Sequence, residues 1–416
     1  MRKLSWRIKK KTVAQYLLIY LAICLNDSFI YYQIIDRFIY VFVALGAALI
    51  AIHRRLQNKW TFTAAIGLLV LVVAQRFISG GVGLGLYLTW MVHILFGSIA
   101  VLYDREHFMN RYVRVIAFLA GVSLVYFGIS IVNVDFARRL TLIHLPYQTS
   151  NSRQITIDGL FLYSFNPWHY DRNTGIFGEP GLYQIVLNSA LFFLLFFERY
   201  CRLSRKKVIR YAAIIAAALI TTRSTTGFIG LLIIVGGYLL AGRKGKSISL
   251  RRGIIIGLIV VALALLLDYQ YNLTNSVIQT AVLSKLFASD GTLDLLNSSG
   301  RYRFGTMEIS AQSFIAHPFG VGYDRVAELL SARNGLVAAK FMTTAAACGI
   351  QWTVFTLVWL FWPIVKSRWA VVTKIVFALL YFNTALAQSQ EFYAAFIVAI
   401  YFAIAMRGAG RRRRAG

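Results

Sequence analysis

Apolar runs of about 20 residues, parted by short basic or polar segments, recur along almost the whole chain, as expected of helices that cross a bilayer. The pattern predicts spans at roughly 12–33, 38–53, 60–78, 83–102, 113–133, 181–198, 209–222, 225–241, 253–269, 347–365, 371–386 and 391–406. The first is the least regular, because Asn26 and Asp27 interrupt it. Most connections are short. Two are long, at about 134–180 and about 270–346, and they hold Pro146, Pro167, Pro180 and Pro318, four of the five prolines. The second long segment has helical pattern of its own: Phe304, Met307, Ala311, Phe314 and Ile315 share one face, and Val326, Leu329 and Leu330 begin another helix. Such helices tend to lie along a membrane interface. The expected fold is all-α, a single polytopic membrane domain over residues 1–416 with no separate soluble domain.

Composition agrees. The 416 residues are 58% hydrophobic, against about 45–50% for a soluble domain. The net charge of +28 first suggests nucleic acid, but it is spread over the short loops of a membrane protein, where basic residues orient spans and meet anionic lipid. With the N-terminus in the cytoplasm and the spans alternating, "MRKLSWRIKKK", "HRRLQNK", "DREHFMNRYVR", "ERYCRLSRKKVIR", "GRKGKSISLRR", "KSR" and "RGAGRRRR" all fall inside, with most of the 44 Lys and Arg. An even number of spans with both termini inside follows. The opening resembles a signal sequence without a small-residue cleavage site, which reads as a retained first helix. Cys24, Cys201 and Cys348 form neither a disulfide framework nor a metal spacing. Gly80, Gly81, Gly83 and Gly85 suit close helix packing better than a phosphate cradle.

The chemistry therefore belongs outside, in the two long segments and the helix ends beneath them. In "DRNTGIFGEPGLYQ", Pro180 suits the first position of a helix and Glu179 its N-cap, where a carboxylate favours the helix dipole. Gly175 and Gly178 let the chain fold tightly, so that Arg172 can return over the helix start. "TTRSTTG" puts Arg223 near the outer membrane edge, either snorkelling or held for an anion. "SSGRYRFGTMEIS" and "HPFGVGYDR" contribute Arg301 and Arg303 before a helix, His317 at its end, and Asp324 beyond. The arginines also fit a solvated loop face, and His317 a helix C-terminal cation. Together, Arg172, Arg223, Arg301 and Arg303 suit a diphosphate at membrane depth, since guanidinium groups bind phosphate bidentately. No Asp-x-Asp or His-x-x-x-His accompanies them, so cationic side chains are expected to neutralise a leaving group without a metal or other cofactor.

In that order, "RNTGIFGEPG", "TTRSTTG" and "SGRYRF…IAHPFGVGYD", carried on about twelve spans, resemble the O-antigen polymerase and ligase superfamily, from about Tyr170 to Trp352. The resemblance implies a GT-C-type glycosyltransferase of the bacterial inner membrane. It would move a glycan from an undecaprenyl diphosphate donor at the periplasmic face, with residues matching Arg172 and Arg301 on the diphosphate. "GIFGEPG" looks like the polymerase form of the first motif, and "LVAAKFMTTAAACGIQ" lacks the histidine that ligases carry there. Glu179 is then the first candidate to engage the acceptor hydroxyl, His317 the second and Asp324 the third. Tyr183 and Tyr323, beside Glu179 and Asp324 in the chain, are the candidate sugar contacts. The implied partners are the lipid-linked oligosaccharide, membrane lipid and a chain-length regulator, with no nucleic acid. The alternatives are a ligase acting on a second acceptor and a transporter of lipid-linked glycan. The transporter expects repeats and charges at mid-depth, whereas here the charges gather at the outer ends.

Overall fold

The computed structural model describes residues 10–79, 83–141, 143–148, 154–241, 298–332, 339–388 and 392–412, together with positions 263, 267 and 270. The chain is predominantly helical. Among the described residues, four helices are long and apolar enough to cross a membrane: Lys59–Ile78, Leu84–Leu102, Phe108–Val132 and Lys340–Val365. Shorter apolar helices, Lys11–Cys24, Ile39–Ile52, Pro180–Phe196, Thr225–Leu240, Val371–Ala385 and Ala394–Met406, pack among them, as does Arg205–Thr221. The expected span at 253–269 lies almost wholly outside the described residues. The apolar surface is large and faces outward: Phe77, Leu240 and Val132 are each more than three-quarters exposed, as suits helices whose neighbour is lipid. The three cysteines are free and buried.

The irregular first span ends as a helix at Cys24 and resumes as a single π-turn at Tyr31–Ile35. Asn26 explains the break. Its amide donates to the carbonyls of Ala22 and Ile23, and its Oδ1 accepts from the Ala395 N–H at the start of the last helix. The polar residues inside Pro180–Phe196 form a clasp. Gln184 Nε2 donates to the Gly181 carbonyl; Asn188 Nδ2 donates to Gln184 Oε1 and to the Gly227 carbonyl on Thr225–Leu240. Gly230 permits that approach, since a Cβ there would stand 2.5 Å from Asn188 Nδ2.

The first long segment holds a structure the apolar pattern did not predict. Asn133 caps a short helix, Val134–Arg139, through the Phe136 N–H. A three-stranded antiparallel sheet follows, Ile143–Gln148, Gln154–Leu160 and Tyr163–Phe165, in chain order. It is moored to Phe108–Val132 by the stacked rings of Tyr126 and Tyr163, and to the end of Val134–Arg139 by Tyr163 Oη, which donates to the Leu140 carbonyl.

The second segment contains the two expected helices, Ser298–Ala316 and Tyr323–Ala332. Val326 and Leu330 are buried as the pattern implied. In the first helix Thr306, Ile309, Ser310 and Ser313 are buried, Met307, Ala311 and Phe314 are half-buried, and Phe304 and Ile315 are exposed. Small hydroxyl residues let this helix approach Lys340–Val365 closely, while Phe304 and Ile315 point away, toward where lipid would be.

"HPFGVG" is built into a break in Lys340–Val365. Gly349 has non-helical angles, φ 78° and ψ −171°. An unbroken helix would bond the Ile350 N–H to the Ala346 carbonyl. Here Ile350 N donates to the Pro318 carbonyl at 2.7 Å, while Val321 N and Gly322 N donate to the carbonyls of Ala346 and Ala347. Gln75 Nε2 also donates to the Ala347 carbonyl. The turn supplies the partners that the broken helix gives up.

Candidate functional site

The chain from Ser164 to Pro180 folds over the start of the helix Pro180–Phe196. Gly175 and Gly178 take positive φ, 55° and 70°. Ser164 holds the intervening turn: its Oγ donates to the Gly175 carbonyl and accepts from the Gly178 N–H. Asn166 Nδ2 donates to the Gly178 carbonyl at 2.7 Å. With both backbone groups of Gly178 fixed, the position of Glu179 is fixed too. Neither Ser164 nor Asn166 stands out in the sequence, because their partners lie a strand and a turn away.

Glu179 occupies the N-cap, with Pro180 beginning the helix, yet its side chain makes no capping hydrogen bond. It is exposed between two buried residues, Gly178 and Pro180. Burial within the surrounding protein nevertheless raises its carboxyl above the usual range, and the attraction of Arg172 and Arg303 only partly opposes this. At Glu179 desolvation outweighs the favourable charges of the two arginines. Arg303, half-buried, and Arg172 are pushed down by the same burial, and Glu179 pulls each back up.

Arg172 has a second task. Its Nε donates to the Thr222 carbonyl and its Nη2 to the Arg223 carbonyl, at 3.0 and 3.1 Å, which covers the C-terminal end of Arg205–Thr221. Asn173 N donates to the Thr221 carbonyl, and its amide to Thr221 Oγ1 and Ser123 Oγ. Arg223 is buried, with φ 50°, and its Nη1 pairs with Asp171 Oδ2 at 3.1 Å. "DRN" and "TTR" are thus zipped together, and two of the proposed anion-binding arginines share the joint. The snorkelling reading of Arg223 is replaced by this ion pair.

Gln388 was missed. A Cβ built on Gly181 would lie 3.1 Å from both amide atoms of Gln388 and 3.2 Å from Glu179 Oε1, so amide and carboxylate flank the same small space. Gln388 is buried and its Nε2 has no hydrogen-bond partner among the described residues. Its carbonyl accepts from Lys340 N, which ties the start of Lys340–Val365 to the site. No local motif marks a glutamine of this kind; its signal is a long-range contact.

The remaining candidates differ in their surroundings. Arg301 lies in the helix Ser298–Ala316, but its side chain is outside the described residues. His317 and Asp324 are exposed, and neither joins Arg172 and Arg303 among the charges acting on Glu179. Tyr183 is a correction. It is buried, its hydroxyl bonds Ser123 Oγ, and its ring packs where a Cβ on Gly175 would stand 2.8 Å away, so it braces the turn and has no free face for a sugar. Tyr323 is half-buried, with Lys340 Nζ 5.2 Å from its ring centroid and Cys348 Sγ donating to its hydroxyl.

A scan against protein-family models finds no match to this chain, and a search of the curated proteins finds none.

Proposed function

We propose that this protein is a polysaccharide polymerase of the bacterial inner membrane, transferring a glycan from an undecaprenyl diphosphate-linked donor to a lipid-linked acceptor repeat unit. The observation that carries the reading is the setting of Glu179: an N-cap carboxylate without a capping bond, beside the Gln388 amide at Gly181, with Arg172 and Arg303 as the charges that act on it. A carboxylate with a raised pKa is a better general base than an ordinary one. In the proposed step the acceptor hydroxyl attacks the anomeric carbon, the bond from that carbon to the diphosphate oxygen breaks, and Glu179 takes the hydroxyl proton. Arg303 and Arg172 face the negative charge that develops on the departing lipid diphosphate. Gln388 Nε2, a donor without a partner among the described residues, stands beside the carboxylate and is suited to hold the acceptor.

The proposed orientation puts this site on the periplasmic side, with about twelve spans and both termini cytoplasmic. It is supported by the gathering of "HRRLQNK", "DREHFMNRYVR" and the basic start of Arg205–Thr221 at the end of the molecule away from Glu179. The test is a comparison of Glu179→Gln with Arg303→Ala in purified protein. Both should keep their fold. Glu179→Gln should still bind the donor lipid but not extend it, whereas Arg303→Ala should bind it more weakly. Polymer of normal length from Glu179→Gln would refute the role.

A further inference from the structure

At the opposite end from Glu179, three connections meet. Lys11 begins the first helix, Arg54 and Arg55 follow Ile39–Ile52, and Arg105 lies between Leu84–Leu102 and Phe108–Val132. They line one cavity of about 760 Å³, with Asp104, Glu106 and His107. The helix Phe108–Val132 separates this cavity from the Glu179 end by its whole length, about 37 Å at 1.5 Å per residue.

The cavity has a built floor. Gln15 Nε2 donates to the Asp104 carbonyl at 2.8 Å and to the Ala100 carbonyl, joining the first helix to the connection. Arg111, buried beneath, donates to Gln15 Oε1 and, at 2.9 Å, to Asp104 Oδ2. Lys11 Nζ and His107 Nδ1 also reach Asp104. Burial pushes the Asp104 carboxyl up, but His107, Arg111 and Lys11 outweigh it and hold it below the usual carboxylate range. The floor carboxylate is therefore already neutralised from within the protein. Above it, Arg54, Arg55 and Arg105 are exposed, and Arg105 Nη2 donates to the Arg55 carbonyl, which holds one arginine against the next connection. Glu106 is the other carboxylate on the wall. Ile52, three-quarters exposed, and Val13 lie beside the cavity in the chain, so it opens at the margin of the apolar belt.

We propose that this cavity is a phosphate-binding site, and its depth favours a phosphate carried by an anionic phospholipid of the bilayer. Three exposed guanidinium groups above a neutralised floor suit a phosphate ester and disfavour a zwitterionic headgroup, whose ammonium would meet the same cations. The site is separate from Glu179 and does not depend on the glycan-transfer reading.

The test uses native mass spectrometry of the full-length protein in detergent, titrated with phosphatidylglycerol or phosphatidylcholine. It compares the wild type, Arg54→Gln alone, Arg54→Gln/Arg55→Gln/Arg105→Gln, and the control Arg205→Gln/Lys206→Gln/Lys207→Gln, which removes exposed basic residues of the same end outside the cavity. Phosphatidylglycerol retention should fall at least about tenfold in the triple cavity variant, each basic residue being worth roughly a factor of five near an anionic surface. Arg54→Gln should lower it partly, and the control should hardly change it. Glycerol 3-phosphate added to the wild type identifies the source. Displacement of the lipid means a site for phosphate in either form, and no displacement means a site that also needs the acyl chains; both sustain phosphate binding. Equal retention of the two lipids, or equal loss in cavity and control variants, overturns the proposal.

Discussion

At the residue scale, Glu179 separates capping from catalysis. A capping carboxylate would contribute about 1–2 kcal/mol to stability. Here no capping bond is made and the group is desolvated, so Glu179→Gln should leave thermal unfolding unchanged or slightly higher while polymer synthesis falls by about two to four decades. A clear loss of thermal stability in that variant would return Glu179 to a structural role. The pH dependence has a definite sign. A carboxyl raised in the folded state favours folding at low pH, and that contribution is lost as pH rises through the raised value. Activity that needs the ionised base should rise over the same interval, so the acid limb of kcat/KM should lie above the ordinary carboxylate range and disappear in Glu179→Gln. Gly181→Ala should also be impaired, since the added methyl fills the space between Glu179 and Gln388; the measure is donor binding against turnover, with turnover the more affected. Arg172 and Arg303 should differ. Arg172→Ala removes two hydrogen bonds from a charged donor, roughly 1.5–3 kcal/mol each, and should lower both stability and activity, whereas Arg303→Ala should lower activity alone. Glu179, Arg172 and Arg303 were legible in the sequence because charge and proline beside an apolar run are conspicuous. Ser164, Asn166 and Gln388 were not, because a serine, an asparagine or a glutamine acquires its role only from a partner distant in the chain.

At the element scale, the apolar runs predicted helices well, since a stretch of such length has few other ways to satisfy its backbone in lipid. The sheet at Ile143–Phe165 escaped that reading because its strands are short, contain Pro146 and lie outside the apolar pattern. The break in Lys340–Val365 escaped it for another reason: one glycine in an apolar helix is ordinary, and only the approach of "HPFGVG" reveals the purpose of Gly349. There a Cβ on Gly349 would lie 2.3 Å from the Phe319 carbonyl carbon, and one on Gly320 would lie 2.5 Å from the Ala347 oxygen, with φ positive at both. Gly349→Ala and Gly320→Ala should each cost more than about 1–3 kcal/mol, because strain adds to a clash with backbone that cannot move aside. Thermal unfolding in detergent checks this; an unchanged midpoint for both would mean that the turn is not locked into the helix.

At the scale of the whole molecule, one end gathers basic connections and the other the joint of "DRN" with "TTR", Glu179 and the helix that carries Arg303. The proposed orientation puts them on opposite sides of the membrane. Cysteines placed at Tyr170 and at Lys206 in a chain whose native cysteines are replaced should therefore react with an impermeant thiol reagent from opposite sides of sealed vesicles; labelling from the same side would remove the periplasmic assignment. The central claim is glycan transfer between lipid-linked substrates at the Glu179 end. Its most direct test is to incubate the purified protein with a lipid-linked repeat unit and to separate the products by length. The expected result is a ladder of longer lipid-linked chains, present with the wild type and absent with Glu179→Gln at equal protein and equal donor binding. An unextended substrate, or an undiminished ladder from Glu179→Gln, would contradict it.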